Sequence, residues 1–171
     1  MSGASSFPQD VISPRGLQCD RRREDMTRIQ TFNMDQKFFV RHHNFEGEIN
    51  ELDFPGPIGD FDWLVHFLRV DQGSRLLAFE AKHPSGFFLR HKNFRIVLEP
   101  PDGTELFKQD HAFREVAPLA GDPRDGWHSY QAFQDKFKTR FLAHENLHLF
   151  LRDKSESGIA AGDASFRLIE T

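Results

Sequence analysis

From Thr27 onward, apolar and polar residues alternate over short stretches bounded by turn-forming residues, which is the period of a half-buried strand. Read in order, the alternation predicts strands at 29–33, 38–42, 48–52 and 64–70. It continues with 76–81, 87–91, 95–99 and 112–116, then 127–132, 140–144, 148–152 and 165–169. His83-Pro84-Ser85-Gly86 is a turn between two of these strands, and Pro100-Pro101-Asp102-Gly103 ends another. No stretch after Thr27 joins a helical apolar period to helix caps, so single helical turns at 107–113 and 122–127 are the most that is expected. Residues 1–26 lack the alternation altogether. They are rich in Ser, Gly, Pro, Gln and charge, include Arg21-Arg22-Arg23-Glu24-Asp25, and read as a disordered tail.

A motif recurs through the predicted strands. Lys37-Phe38-Phe39-Val40-Arg41-His42-His43-Asn44-Phe45 is the first copy, Phe87-Phe88-Leu89-Arg90-His91-Lys92-Asn93-Phe94 the second, and Arg140-Phe141-Leu142-Ala143-His144-Glu145-Asn146-Leu147 a more worn third. The anchoring histidines His42, His91 and His144 lie 49 and 53 residues apart, a spacing that marks internal repeats. A second set of segments, 61–70, 107–116 and 160–169, follows the copies, and aligning Phe67, Phe113 and Phe166 keeps the period. Three units, at about 27–73, 74–124 and 125–171, then hold four strands each. Twelve strands in three units of roughly fifty residues predict an all-β chain folded as a β-trefoil, six strands closing a barrel and three hairpins capping it. Closure also explains why no unit would stand alone, since its apolar face and strand edges are covered by the other two. On this alignment Phe45, Phe67, Phe94, Phe113 and Phe166 are expected in the core.

Composition narrows the picture. The chain has 171 residues, and the part from Thr27 on is long enough to bury a core as one domain. Nineteen Phe against one Tyr and two Trp, spread evenly over the units, fit core packing. A net charge of −4 with mixed signs argues against a nucleic-acid partner held on a basic surface. Cys19 is the only cysteine, which excludes an internal disulfide and a cysteine metal site. No apolar run is long enough for a membrane helix, so no membrane partner is expected. Met1 to Ile12 lacks the order of a secretory leader, so the chain as written reads as soluble and cytoplasmic, or else as a mature form without its leader.

Nine histidines show no convergent metal-ligand spacing, and the adjacent His42 and His43 would point to opposite faces of a strand, so no metal site is expected. Phosphate-binding glycine loops and Ser or Cys nucleophile motifs are missing, and no cofactor is expected. The acids sit at repeat-related positions. A site copied three times suits binding better than the paired carboxyls of a glycosidase.

Residues 83–114, HPSGFFLRHKNFRIVLEPPDGTELFKQDHAFR, resemble the AbfB-type arabinofuranose-binding domain of α-L-arabinofuranosidases, carbohydrate-binding module family 42. That family's repeats read roughly Pro-Gly-x-Tyr-Ile-Arg-His-x-Asn-Phe, then Leu-Phe-x-x-Asp-Ala-Thr-Phe. The resemblance covers 29–170 and implies a β-trefoil with a shallow sugar pocket in each unit. It assigns sugar contacts to His91, Asn93 and Asp110 in the second unit, to His144, Asn146 and Asp163 in the third, and to His42 and Asn44 in the first. A carboxylate, an imidazole and an amide beside an apolar surface are what a neutral sugar needs. The alternative is that each His and Asn pins a hairpin through backbone hydrogen bonds.

Departures from the family pattern predict unequal sites. Its Tyr is Phe39, Phe88 and Phe141 here, and Ala143 stands where the other units have Arg41 and Arg90. In the first unit the Asp position aligns with Leu64, with Asp60 and Asp62 four and two residues earlier, so this pocket is expected to be the weakest. The function that follows is non-catalytic binding of arabinofuranose side chains on arabinoxylan, arabinan or another glycan. A trefoil that binds protein rather than sugar is the first alternative. The second is a part in arabinofuranosidase action and L-arabinose metabolism; such proteins are usually secreted.

Overall fold

The computed structural model describes residues 26–155 and 159–171, and every predicted strand forms within them. The first unit holds β1 (Thr27–Thr31), β2 (Phe38–His43), β3 (Glu46–Glu51) and β4 (Trp63–Asp71). The second holds β5 (Ser74–Ala81), β6 (Phe88–Lys92), β7 (Arg95–Glu99) and β8 (Phe113–Val116), and the third β9 (Trp127–Ala132), β10 (Arg140–Glu145), β11 (His148–Asp153) and β12 (Phe166–Glu170). The one α-helix among the described residues, α1 (Glu105–Asp110), is capped by Thr104, whose hydroxyl accepts the Phe107 N–H, so the helical turn expected at 107–113 sits slightly earlier. A 3-10 turn at Pro123–Asp125 occupies the second expected position. The expected tail lies outside the described residues except for Met26, which is buried and whose carbonyl accepts the Thr171 N–H at 2.8 Å.

Antiparallel pairing runs β1–β4, β4–β5, β5–β8, β8–β9, β9–β12 and back from β12 to β1, a closed six-stranded barrel. The hairpins β2–β3, β6–β7 and β10–β11 pair with one another through β3–β7, β7–β11 and β11–β3 and close a triangular cap. The chain is a β-trefoil. Barrel and cap strands contribute to one core in three-fold sets: Ile29, Phe79 and Tyr130 from the barrel, and Val40, Leu89 and Leu142 with Ile49, Leu98 and Leu151 from the hairpins. Near the axis of the cap, Gly47 makes room for two larger neighbours. A Cβ there would stand 3.0 Å from Leu149 and 3.1 Å from Ile96, which occupy the equivalent places of the other units.

The core corrects part of the phenylalanine alignment. Phe113 and Phe166 are fully buried, but Phe67 is 59% exposed, and its place in the core belongs to the fully buried Trp63. Trp63, Phe113 and Phe166 each open the last strand of their unit, and the Trp63 indole donates to the Val40 carbonyl at 3.1 Å. The mismatch arises because β4 has nine residues against four in β8 and five in β12, with a bulge between Phe67 and Arg69. Anchoring the alignment on the middle of β4 therefore shifts it by four positions.

Phe45 and Phe94 also leave the expected core, being 57% and 37% exposed. Each is the second residue of a two-residue hairpin turn. Asn44 and Phe45 have φ of 50° and 60°, Asn93 and Phe94 50° and 63°, Asn146 and Leu147 51° and 68°. Positive φ at both central residues is the turn whose twist matches the flanking strands, and Asn tolerates it best among residues with a side chain. The turn residue then lies on the first residue of the next unit's hairpin motif. Phe45 stacks 5.7 Å from Phe87, and Arg140 covers Phe94 at 4.3 Å.

Candidate functional site

The histidine of each motif falls one residue before the last position of β2 and of β10, and next to last in β6, where strand alternation turns it inward. His42, His91 and His144 are all buried. Facing each is an aspartate from the short helical turn that precedes the unit's last strand: Asp60 in the 3-10 turn Ile58–Phe61, Asp110 in α1, Asp163 in the 3-10 turn Ala161–Ala164. The contacts are His42 to Asp60 at 3.8 Å, His91 to Asp110 at 3.4 Å and His144 to Asp163 at 3.8 Å.

The first unit therefore has its carboxylate, and the expected gap at Leu64 is corrected. Asp60 lies three residues before Trp63 as Asp110 lies before Phe113 and Asp163 before Phe166. The Asp-x-x-aromatic spacing was legible in the sequence, and alignment on Phe67 hid it. Arg41 donates to Asp60 at 3.1 Å and Arg90 to Asp110 at 2.6 Å, so these two units share one arrangement. In the third unit Ala143 instead sits in a small apolar cluster with Phe141 and Ala164.

A third component comes from the neighbouring unit, and sequence reading missed it. Asn33, His83 and Gln134 each stand two residues beyond the end of β1, β5 and β9. The Asn33 amide donates to Asp163, and its oxygen lies 2.7 Å from His144 Nε2. The His83 backbone acts on the His42 ring against the effect of burial, and the Gln134 amide donates to Asp110. Every site thus closes across a junction between units, 24 residues apart in sequence for Asp110 and Gln134 and 130 for Asn33 and Asp163.

Burial pushes all three imidazoles below their ordinary pKa, and the facing aspartates pull weakly the other way. The rings are neutral at pH 7, each with one N–H donor and one acceptor nitrogen. Nε2 of His42 and of His91 is buried and makes no hydrogen bond within the described residues. Around the second site lies a cavity of about 340 Å³, lined by His91, Asn93, Phe94, Asp110, Gln134 and Phe137. Phe94 and Phe137 meet edge to face at 5.4 Å and form its apolar wall. Asn93 both makes the hairpin turn and lines the cavity, so the two readings of that residue are compatible. Asn44 and Asn146 hold the equivalent turn positions. A polar cluster against exposed aromatic edges can accept and donate to hydroxyls while an apolar face covers C–H groups.

Residues 27–168 match the model of the alpha-L-arabinofuranosidase B (ABFB) domain. A probable alpha-L-arabinofuranosidase B of Aspergillus clavatus is 34% identical over 105 residues, which is 60% of this chain and 18% of that protein. An alpha-L-arabinofuranosidase of Hypocrea jecorina is 31% identical over 90 residues, 52% of this chain and 16% of the relative. The chain thus spans less than a fifth of the curated relatives it matches. Among solved structures, an arabinofuranosidase complexed with arabinofuranosyl-alpha-1,2-xylobiose superposes with a TM-score of 0.68 at 18% identity, over 84% of this chain and 30% of that one. A Polyporus squamosus lectin bound to a sialylated trisaccharide epitope gives 0.59 at 6% identity, over 85% and 49%. At these identities the two structures speak for the fold.

Proposed function

The chain belongs to the alpha-L-arabinofuranosidase B domain family, and from that premise we propose that it is a non-catalytic module binding arabinofuranose side chains of a plant polysaccharide such as arabinoxylan or arabinan. The observation that carries the reading is the three-fold recurrence of a neutral imidazole facing a carboxylate, joined at the second and third sites by a hydrogen-bonding amide of the neighbouring unit. A carboxylate has about four lone-pair sites, so Asp110, which accepts from Arg90 and Gln134, keeps capacity for sugar hydroxyls. Three pockets on one domain would also reinforce each other on a branched polymer. Hydrolysis by paired carboxyls finds no support in a site of this kind, where each acid faces a histidine.

The experiment is titration calorimetry of the chain with methyl α-L-arabinofuranoside and with arabinan. Binding of both, tighter for the polymer, is the expected result. Heat from neither sinks the sugar reading and leaves protein docking through the exposed Phe67, Leu68 and Val70 of β4 as the better one.

A further inference from the structure

Beside the cavity at His91 and Asp110 lies a larger one, of about 440 Å³, and Gln134 and Lys136 line both. It is bounded by the tip of the β4–β5 hairpin, the end of α1 and the 3-10 turn Asp135–Phe137. The hairpin reaches it because β4 is the longest of the three closing strands, and its tip turns at Gln72 and Gly73 with φ of 49° and 80°. One wall is fixed by the buried Arg114, which donates to Asp71 at 2.6 Å, to Gln131 at 3.2 Å and to the Phe133 carbonyl at 3.1 Å. Arg69 adds a cation over the Phe133 ring at 5.1 Å. A side-chain network tied at so many points is pre-organised, which lowers the ordering cost of binding.

What faces the space is rich in uncommitted hydroxyl-matching groups. The side chains of Gln72, Gln109 and Asp135 line the cavity and make no hydrogen bond or ion pair among the described residues. The Gln134 carboxamide is buried, donates to Asp110 from its nitrogen, and has no partner for its oxygen. Neutral amides with Asp135 and Lys136, beside an Arg114 and Asp71 that neutralise each other, suit a polyhydroxyl ligand better than a strongly charged one. Gln134 joins the two spaces: its amide nitrogen holds the carboxylate of the first cavity while the residue lines the second.

We propose that this cavity is a second sugar subsite, so that the second unit binds at least two linked sugar residues, the first at His91 and Asp110 and the next between Gln72, Gln109 and Asp135. The proposal builds on the reading of the His91 cavity as a sugar pocket and deepens it from single side-chain residues to an oligosaccharide. The corresponding strands β8 and β12, at four and five residues, are too short to build the same wall, so the extension is particular to this unit.

The test is residue-resolved: amide NMR titration of the full chain with methyl α-L-arabinofuranoside and with α-1,5-arabinotriose, repeated for Gln109→Ala. Gln109 lies on α1 and is only half-buried, so the variant keeps its helix and its fold. Both ligands should move the signals of His91 and Asn93, and only the triose should move those of Gln72, Gln109 and Asp135. Gln109→Ala should weaken the triose at this unit by about 2- to 12-fold, the worth of one net hydrogen bond, and leave the methyl glycoside unchanged. A triose that moves only the signals the methyl glycoside moves overturns the subsite alone. If neither ligand moves the signals around His91, the sugar pocket itself is refuted and the subsite with it.

Discussion

At the scale of single residues, the three aspartates look alike and carry different loads. Asp110 neutralises Arg90, which is 6% exposed, so its removal leaves a buried cation whose remaining acid partners are the more exposed Glu99 at 3.1 Å and Asp102 at 3.9 Å. Asp110→Ala should therefore destabilise the fold by about 3 to 5 kcal/mol and is a poor reporter of binding. Asp163 faces a neutral imidazole and no arginine, so Asp163→Ala should report binding more cleanly. It is expected to cost the third site about 1.5 to 3 kcal/mol, roughly 10- to 150-fold in affinity, by calorimetry with the methyl glycoside. Asp60→Ala takes the acid partner from Arg41, which is 2% exposed, so it should destabilise the fold as Asp110→Ala does, which it would not do if Leu64 held the carboxylate position. The histidines make a pH prediction. Their folded pKa values lie below 6.5, so the unfolded chain binds more protons than the native one over the interval between the two. Stability is then whole above about pH 6.5 and is lost as pH falls towards the depressed folded values. Melting temperatures from pH 7.5 down to 5 should show this fall, and it should flatten in His144→Asn.

At the scale of the element, the hairpins explain why Asn recurs in all three motifs. In an isolated β-strand Asn is a poor choice, but each of these stands at φ near 50° as the first of two turn residues. Asn93→Ala forces an ordinary L-residue into that region and should cost about 1 to 2 kcal/mol, whereas Asn93→Gly should be nearly neutral to folding. Thermal melts of the two variants decide this, and a stable Asn93→Ala would show that the turn does not depend on the residue. The partner residue of each turn is exposed, Phe45, Phe94 or Leu147, and the two phenylalanines were expected in the core from their recurrence alone. Recurrence marks a repeated structural role, and here that role is contact between one unit's turn and the next unit's hairpin. Strand positions were readable because alternation is a local property. The bulge in β4 was not, since one added residue leaves the apolar count almost unchanged and alters only the register.

At the scale of the whole molecule, the closed barrel makes the three units one cooperative body. Phe113, fully buried with Phe79 at 6.0 Å, should cost about 3 to 5 kcal/mol on substitution by Ala, while Phe67→Ala on the exposed hairpin should change stability by about 0.5 kcal/mol or less. Denaturant midpoints of the two variants test the corrected alignment directly, and equal losses would restore the earlier one. The sequence by itself determined the twelve strands, the three-fold repeat, the trefoil and the motif histidines, because period-two alternation and a fifty-residue recurrence are written along the chain and need no partner to be seen. Only the tertiary structure decided that Asp60 belongs to the first site, that Asn33, His83 and Gln134 complete the sites of their neighbours, and that Phe45, Phe67 and Phe94 face solvent. Those facts depend on which units abut and on where a strand overruns its repeat. Ring closure brings Asn33 to Asp163 across 130 residues, a contact set by the geometry of the barrel and carried by no local pattern.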